Sequence, residues 1–172
     1  MPILPKVRDP RLITIRRGGS LTDDDHRLLA EWALQCAEHV LHLFEREAAE
    51  DGRPRRAIAI GRSWINGEVP MTVAHNAAFT ANAASRGRTD PGKFAALASG
   101  QAVAVAHVAA HDLGAAAYGI RAAQASSPPE RSDAARLHER DWQREQLPVA
   151  LRALVLDDQR QRNDICWHVF GD

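Results

Sequence analysis

The stretch FAALASGQAVAVAHVAAHDLGAAAYGIRAAQA, residues 94–125, constrains the fold more than any other part of the chain. Alanine is the strongest helix former, while the aromatic residues that strands favour make up only 5% of the sequence. A helix of small side chains gains stability chiefly where its neighbours can come close. Gly100, Gly114 and Gly119 cost helix propensity but remove bulk that would hold a neighbouring backbone away. The expected architecture is all-α: a single-domain helical bundle, or stacked helical hairpins. The long helix is expected over about 91–124, with a break around Asp112–Gly114.

The flanking segments supply its partners. LTDDDH starts a helix, with Thr22 as N-cap, Asp25 placed for a capping box, and Asp23, Asp24 and Asp25 where the helix dipole favours negative charge. Leu28, Leu29, Trp32, Cys36, Val40, Leu43 and Phe44 then recur at three- and four-residue steps, an amphipathic helix to about Glu50. Pro54 opens a second helix, with Ala57, Ile58, Gly61, Trp64 and Ile65 inward and Gly67 as its stop. A third runs from Pro70 to about Arg86. Beyond SSPPE, a charged helix over about 130–146 has Leu137 and Trp142 as apolar anchors, and Pro148 starts the last one. The terminal ICWHVF is expected to dock on the core. The count is about five to seven helices in one domain, 21–172, preceded by an extended arm, 1–20, that carries three prolines and the cluster RRGGS.

Charge supports neither of two function classes. Lys plus Arg and Asp plus Glu are each 22, so there is neither the basic excess of a nucleic-acid binder nor the acidic excess of a nucleic-acid mimic. Cys36 and Cys166 form no CxxC and read as buried, reduced thiols. MPILPKVRDPRLITI lacks the pattern of a signal peptide and no stretch matches a membrane span, so a cytoplasmic protein with no membrane partner is expected.

No residue constellation dictates a reaction. His107 and His111 stand four apart, about one turn on one face of the expected helix, so a metal site there is the alternative reading, completed by a carboxylate or a histidine of another helix such as His75 or His39. The zinc-protease pattern fails because Val108 stands where its glutamate belongs, and no Glu-x-x-His pair supports a two-metal bundle. Close packing is preferred, with no catalytic residue and no cofactor. SRGRTDPG, 85–92, reads as a positively charged loop. The mixed-charge ERSDAARLHERDWQRE reads either as a solvated helix or as a protein-contact surface, because Arg and Trp favour interfaces.

RRGGSLTDDDHRLLAEWALQCAEHVLHLFE, RPRRAIAIGRSWINGE, AVAHVAAHDLGAAAYGIRAA and LPVALRALVLDDQRQRNDICWHVF together resemble the Imm-five-like putative immunity protein family of bacterial polymorphic toxin systems. The resemblance runs from about Arg16 to Phe170. Its most specific pieces are Gly61, Trp64, Gly67 and Glu68, then His107, His111, Gly114 and Tyr118, then Cys166 and Trp167. It implies a small all-helical protein that binds and neutralises a cognate toxin without catalysis, and it carries no catalytic residues. The expected contact residues are Asp23, Asp24, Asp25, Arg136, Arg140 and Trp142. A metal-dependent helical enzyme using His107 and His111 is the alternative, and a self-associating helical module a further one.

Overall fold

The computed structural model describes residues 3–172. Among them are seven α-helices and no β-strand. α1 is Asp23–Glu45, α2 Arg53–Ile65, α3 Met71–Ala84, α4 Asp90–Ala104, α5 Asp112–Ala125, α6 Ser132–Glu145 and α7 Val149–Gln161. No helix of the described residues is long and apolar enough to cross a membrane.

α1 starts where its cap chemistry puts it: Thr22 Oγ1 accepts the Asp25 N–H at 3.1 Å. Its inward stripe runs from Leu29 through Trp32, Cys36 and Val40 to Phe44, all essentially inaccessible to solvent. α1 packs against α2, α4 and α5, while α3 lies on α2 and α4, and α6 on α5. Small residues let these layers close. A Cβ on Gly100 would overlap Asn82 Oδ1 of α3, and one on Gly114 would overlap Gln101 Oε1 of α4. A side chain at either place would have to displace that amide.

The alanine-rich stretch breaks earlier than its sequence suggests. α4 ends at Ala104, Val108 is extended (φ −140°, ψ 112°), and a 3-10 turn over Ala109–His111 leads into α5. Two distant side chains explain the position. His26 of α1 donates from Nε2 to the Val105 carbonyl at 2.7 Å, and Arg162 donates to the Ala110 carbonyl at 2.9 Å. Both carbonyls are satisfied without a continuing helix.

α6 also departs from its apolar pattern. Leu137 and Trp142 are only half-buried, whereas Arg136, Glu139, Arg140 and Gln143 form the buried face. Opposite them α5 offers alanine and glycine, and that space admits polar side chains that find partners. Gln143 donates to the Ala116 carbonyl and to Glu139, and Trp32 Nε1 donates to the Gln143 carbonyl at 2.8 Å.

The C-terminal segment docks on the core. Cys166, Val169 and Phe170 are buried there, and Trp167 lies outside them against the face of Arg121. The alternation depends on Trp167 and His168 in the left-handed region, at φ 56° and 59°. Backbone of that kind costs about 1–3 kcal/mol per residue and persists only when packing enforces it. The arm is not extended. It folds into 3-10 turns at Pro10–Leu12 and Ile15–Arg17, pinned by buried Leu12 and Leu21 and by Arg11, which bridges Asp9 and Asp157 of α7 at 2.6 Å each.

Candidate functional site

The RRGGS cluster turns the arm back on itself. Gly18 adopts φ 88°, a conformation side chains disfavour, and a Cβ on Gly19 would collide with the backbone of Ile13. The Leu21 N–H reaches the Ile13 carbonyl and the Ile15 N–H the Leu21 carbonyl, both at 3.0 Å. The turn therefore holds Arg16 and Arg17 at the edge of a cleft of about 420 Å³ between the arm and the helices.

Arg8, Arg16 and Arg17 of the arm line one side of the cleft. Trp64 from the end of α2, Met71 from the start of α3, and the backbone turn Ala106–Ala109 line the other. His26 supports Trp64 edge-on, with ring centroids 5.1 Å apart. His107 leans on His75 of α3 at 4.5 Å, and its Nδ1 is buried without a hydrogen-bond partner.

The electrostatics run one way. Burial is the main reason that His26, His107 and His111 are all held below the ordinary histidine range, His111 at about 4. Neighbouring arginines add to this: Arg17 and Arg8 act on His107, and Arg8 and Arg162 act on His111. At neutral pH the histidines are thus uncharged and the arginines supply the charge. Arg16 is paired with Asp23 at 3.0 Å on an exposed surface, whereas Arg8 and Arg17 make no ion pair among the described residues. The lining holds no carboxylate and no thiol, and Thr14 is its one hydroxyl residue. Such a lining suits binding an anion beside an apolar group. It has no nucleophile paired with a base.

The alternative reading of His107 and His111 as a metal pair loses its shared helical face at the break. His107 lies in the turn beyond α4 and His111 in the following 3-10 turn, so they no longer share one helical face. His111 Nδ1 is taken by Gln101 at 2.7 Å. Among the described residues, no three or more His, Cys, Asp or Glu side chains group so as to hold a metal ion. His39 is also used elsewhere, bonded to Glu139 at 2.8 Å. Burial raises both thiols, Cys166 to about 12, which leaves them unreactive.

The expected contact residues divide. Asp23, Asp24 and Asp25 lie at the exposed start of α1, where Asp23 pairs with Arg16, Asp24 with Arg27 at 3.4 Å, and Asp25 contributes the capped N–H. Arg136 and Arg140 are occupied internally: both donate to the Gly171 carbonyl, and Arg136 also donates to the Val169 carbonyl. Trp142 stacks flat on His39, centroids 3.6 Å apart, beside a second cleft lined by Gln35, Glu38 and Gln146. The SRGRTDPG loop is closed by an acid of the chain itself, Glu47, which accepts from the Thr89 N–H and hydroxyl.

The cleft was not anticipated as a site. Trp64 was legible as buried stripe, but RRGGS read as part of an extended arm, and nothing local brings residues 8–17 to residues 64, 71 and 107.

Residues 19–150, most of the chain, match the family model described as "Imm-5 like putative immunity protein". The match stops short of the ICWHVF segment, to which the resemblance in sequence was extended, and it begins just after the arm arginines. Trp64, Met71, His26 and His107 lie inside it. No curated protein and no solved structure matches the chain at a significant level.

Proposed function

Since the chain belongs to the Imm-5 like putative immunity protein family, we propose that it protects its host by binding a cognate protein toxin and covering the surface the toxin works with. Binding, not catalysis, does the work. The observation that carries this reading is the cleft itself, in which fixed arginine charge faces an aromatic wall and no nucleophile–base pair is present. Arginine and tryptophan are the side chains that dominate binding energy at protein interfaces. A stable complex of this kind buries roughly 1,200–2,000 Å² in total, far more than one cleft, so adjoining surface also takes part. The acidic start of α1 is continuous with the cleft through the Arg16–Asp23 pair, and belongs to the same face.

The test is co-expression. A toxin encoded beside this chain should stop growth when produced alone and be harmless when produced with it, and the two purified proteins should form a complex of fixed stoichiometry. Growth arrest that continues despite abundant folded protein would refute the proposal.

A further inference from the structure

Arginines elsewhere in this protein are mostly spent. Arg136, Arg140, Arg144 and Arg162 each donate to backbone carbonyls or side chains of the same chain. Arg8 and Arg17 are exposed, border one cleft, and have no partner among the described residues. Both line the same cleft as His107, so their charges face one space. Like charges held together without a counter-ion repel one another, and that repulsion is relieved when an anion binds between them. The concave, partly apolar surroundings also strengthen the field there.

The rest of the lining narrows the occupant. Leu12, Trp64, Met71 and Val108 give an apolar wall directly beside the arginines. A bare inorganic anion leaves that wall unused. A nucleic-acid backbone asks for a basic stripe, whereas this chain has balanced charge overall. The combination that uses both halves is a carboxylate next to an apolar or aromatic side chain, as in an acidic polypeptide segment. A planar guanidinium fork matches carboxylate geometry with two parallel hydrogen bonds.

We propose that this cleft is the docking site for an acidic segment of the toxin, with its carboxylates on Arg8 and Arg17 and an adjoining apolar side chain against Trp64 and Met71. The proposal rests on the immunity reading for the identity of the partner, but the chemistry of the site can be tested without it.

The probe is a fluorescein-labelled peptide alternating glutamate and phenylalanine, with a glutamine-for-glutamate peptide as control, titrated against the full chain and followed by anisotropy. The acidic peptide should bind at least about tenfold tighter than its control and weaken as salt rises. Arg8→Glu/Arg17→Glu should abolish that preference, whereas Arg86→Glu/Arg131→Glu, which reverses two exposed arginines outside the cleft, should preserve it. Equal binding of both peptides, or binding unaffected by Arg8→Glu/Arg17→Glu, would overturn the assignment. So would displacement by inorganic phosphate at concentrations where chloride of equal ionic strength has no effect, because the site would then be a phosphate site. Co-expression separates the two proposals. If Arg8→Glu/Arg17→Glu protects as well as the wild type, the docking site is wrong and immunity stands. If the wild type fails to protect yet binds the acidic peptide selectively, immunity is wrong and the site stands.

Discussion

Arg162 and Arg17 are the same side chain in opposite circumstances. Arg162, beyond α7, is almost wholly buried and donates to Asp158, to Asp112 at 3.2 Å and to the Ala110 carbonyl, tying the C-terminal region to the α4–α5 connection. Arg17, at the cleft, is exposed, and its guanidinium has no hydrogen-bond partner among the described residues. One arginine is held for structure and the other is left open for a partner. The α6, α7 and C-terminal side consumes Arg136, Arg140, Arg144 and Arg162 internally, whereas the arm spends Arg11 on Asp9 and Asp157 and leaves Arg8 and Arg17 open.

Breaking the first half of the comparison should have the largest effect. Arg162→Met leaves two buried carboxylates without their cation, and removing one member of a buried ionic cluster costs about 3–5 kcal/mol. Urea denaturation should show a loss of that size. A loss under 1 kcal/mol, on the order of a surface substitution, would mean that the cluster carries no structural weight.

Next in size, Arg136→Ala and Arg140→Ala each remove charged donors from the carbonyls of the terminal segment, a loss of about 1.5–3 kcal/mol apiece. Amide exchange at residues 166–170 should quicken in both variants while α1 exchange holds. Uniform quickening would show that the terminal segment is not a separable unit.

The comparison can be sharpened through pH. Asp112 is fully buried, and desolvation pushes its carboxyl up to about 7, with Arg162 opposing and Asp158 reinforcing the shift. The folded state therefore keeps a proton that the unfolded chain releases near 3.8, so this group lowers stability as pH rises through that window. His111 works in the opposite sense. Its folded value of about 4 lies below the unfolded 6.5, so its stabilisation is present above 6.5 and is lost as pH falls towards 4. Asp112→Asn should make the melting temperature climb more steeply from about pH 4 to 6.5, and His111→Gln should turn the same profile downward. Identical profiles in the two variants would contradict these assignments.

The smallest effect on stability belongs to the cleft. Arg8→Glu/Arg17→Glu touches exposed groups with no partners, so the melting temperature should stay within about 2 °C of wild type. A large drop would show that these arginines serve the fold, and would erase the contrast with Arg162.

The separation was partly legible beforehand. Thr22 and the aspartates announced the start of α1, and the Leu29-to-Phe44 stripe announced its buried face, because both signals lie within one helix and follow its period. The role of α6 was not legible. Its segment reads either as a solvated helix or as a protein-contact surface, with Arg136 and Arg140 among the expected contacts, and only the alanine and glycine surface of α5, together with the terminal carbonyls, gives Arg136, Glu139, Arg140 and Gln143 a buried place. His107 and His111 misled for a related reason: their spacing implies one helical face only if the helix continues, and His26 and Arg162 take the carbonyls where it stops.

By itself the sequence determined the helical class, a count of about five to seven helices and the need for close approach at Gly100 and Gly114, since propensity, capping and side-chain volume act over a few residues. Tertiary structure alone decided which arginines are consumed and which are free. An ion pair is settled by what lies within about 4 Å in space. Asp112 and Arg162 are fifty residues apart along the chain, and Arg8 meets Trp64 and His107 only after the arm has folded back.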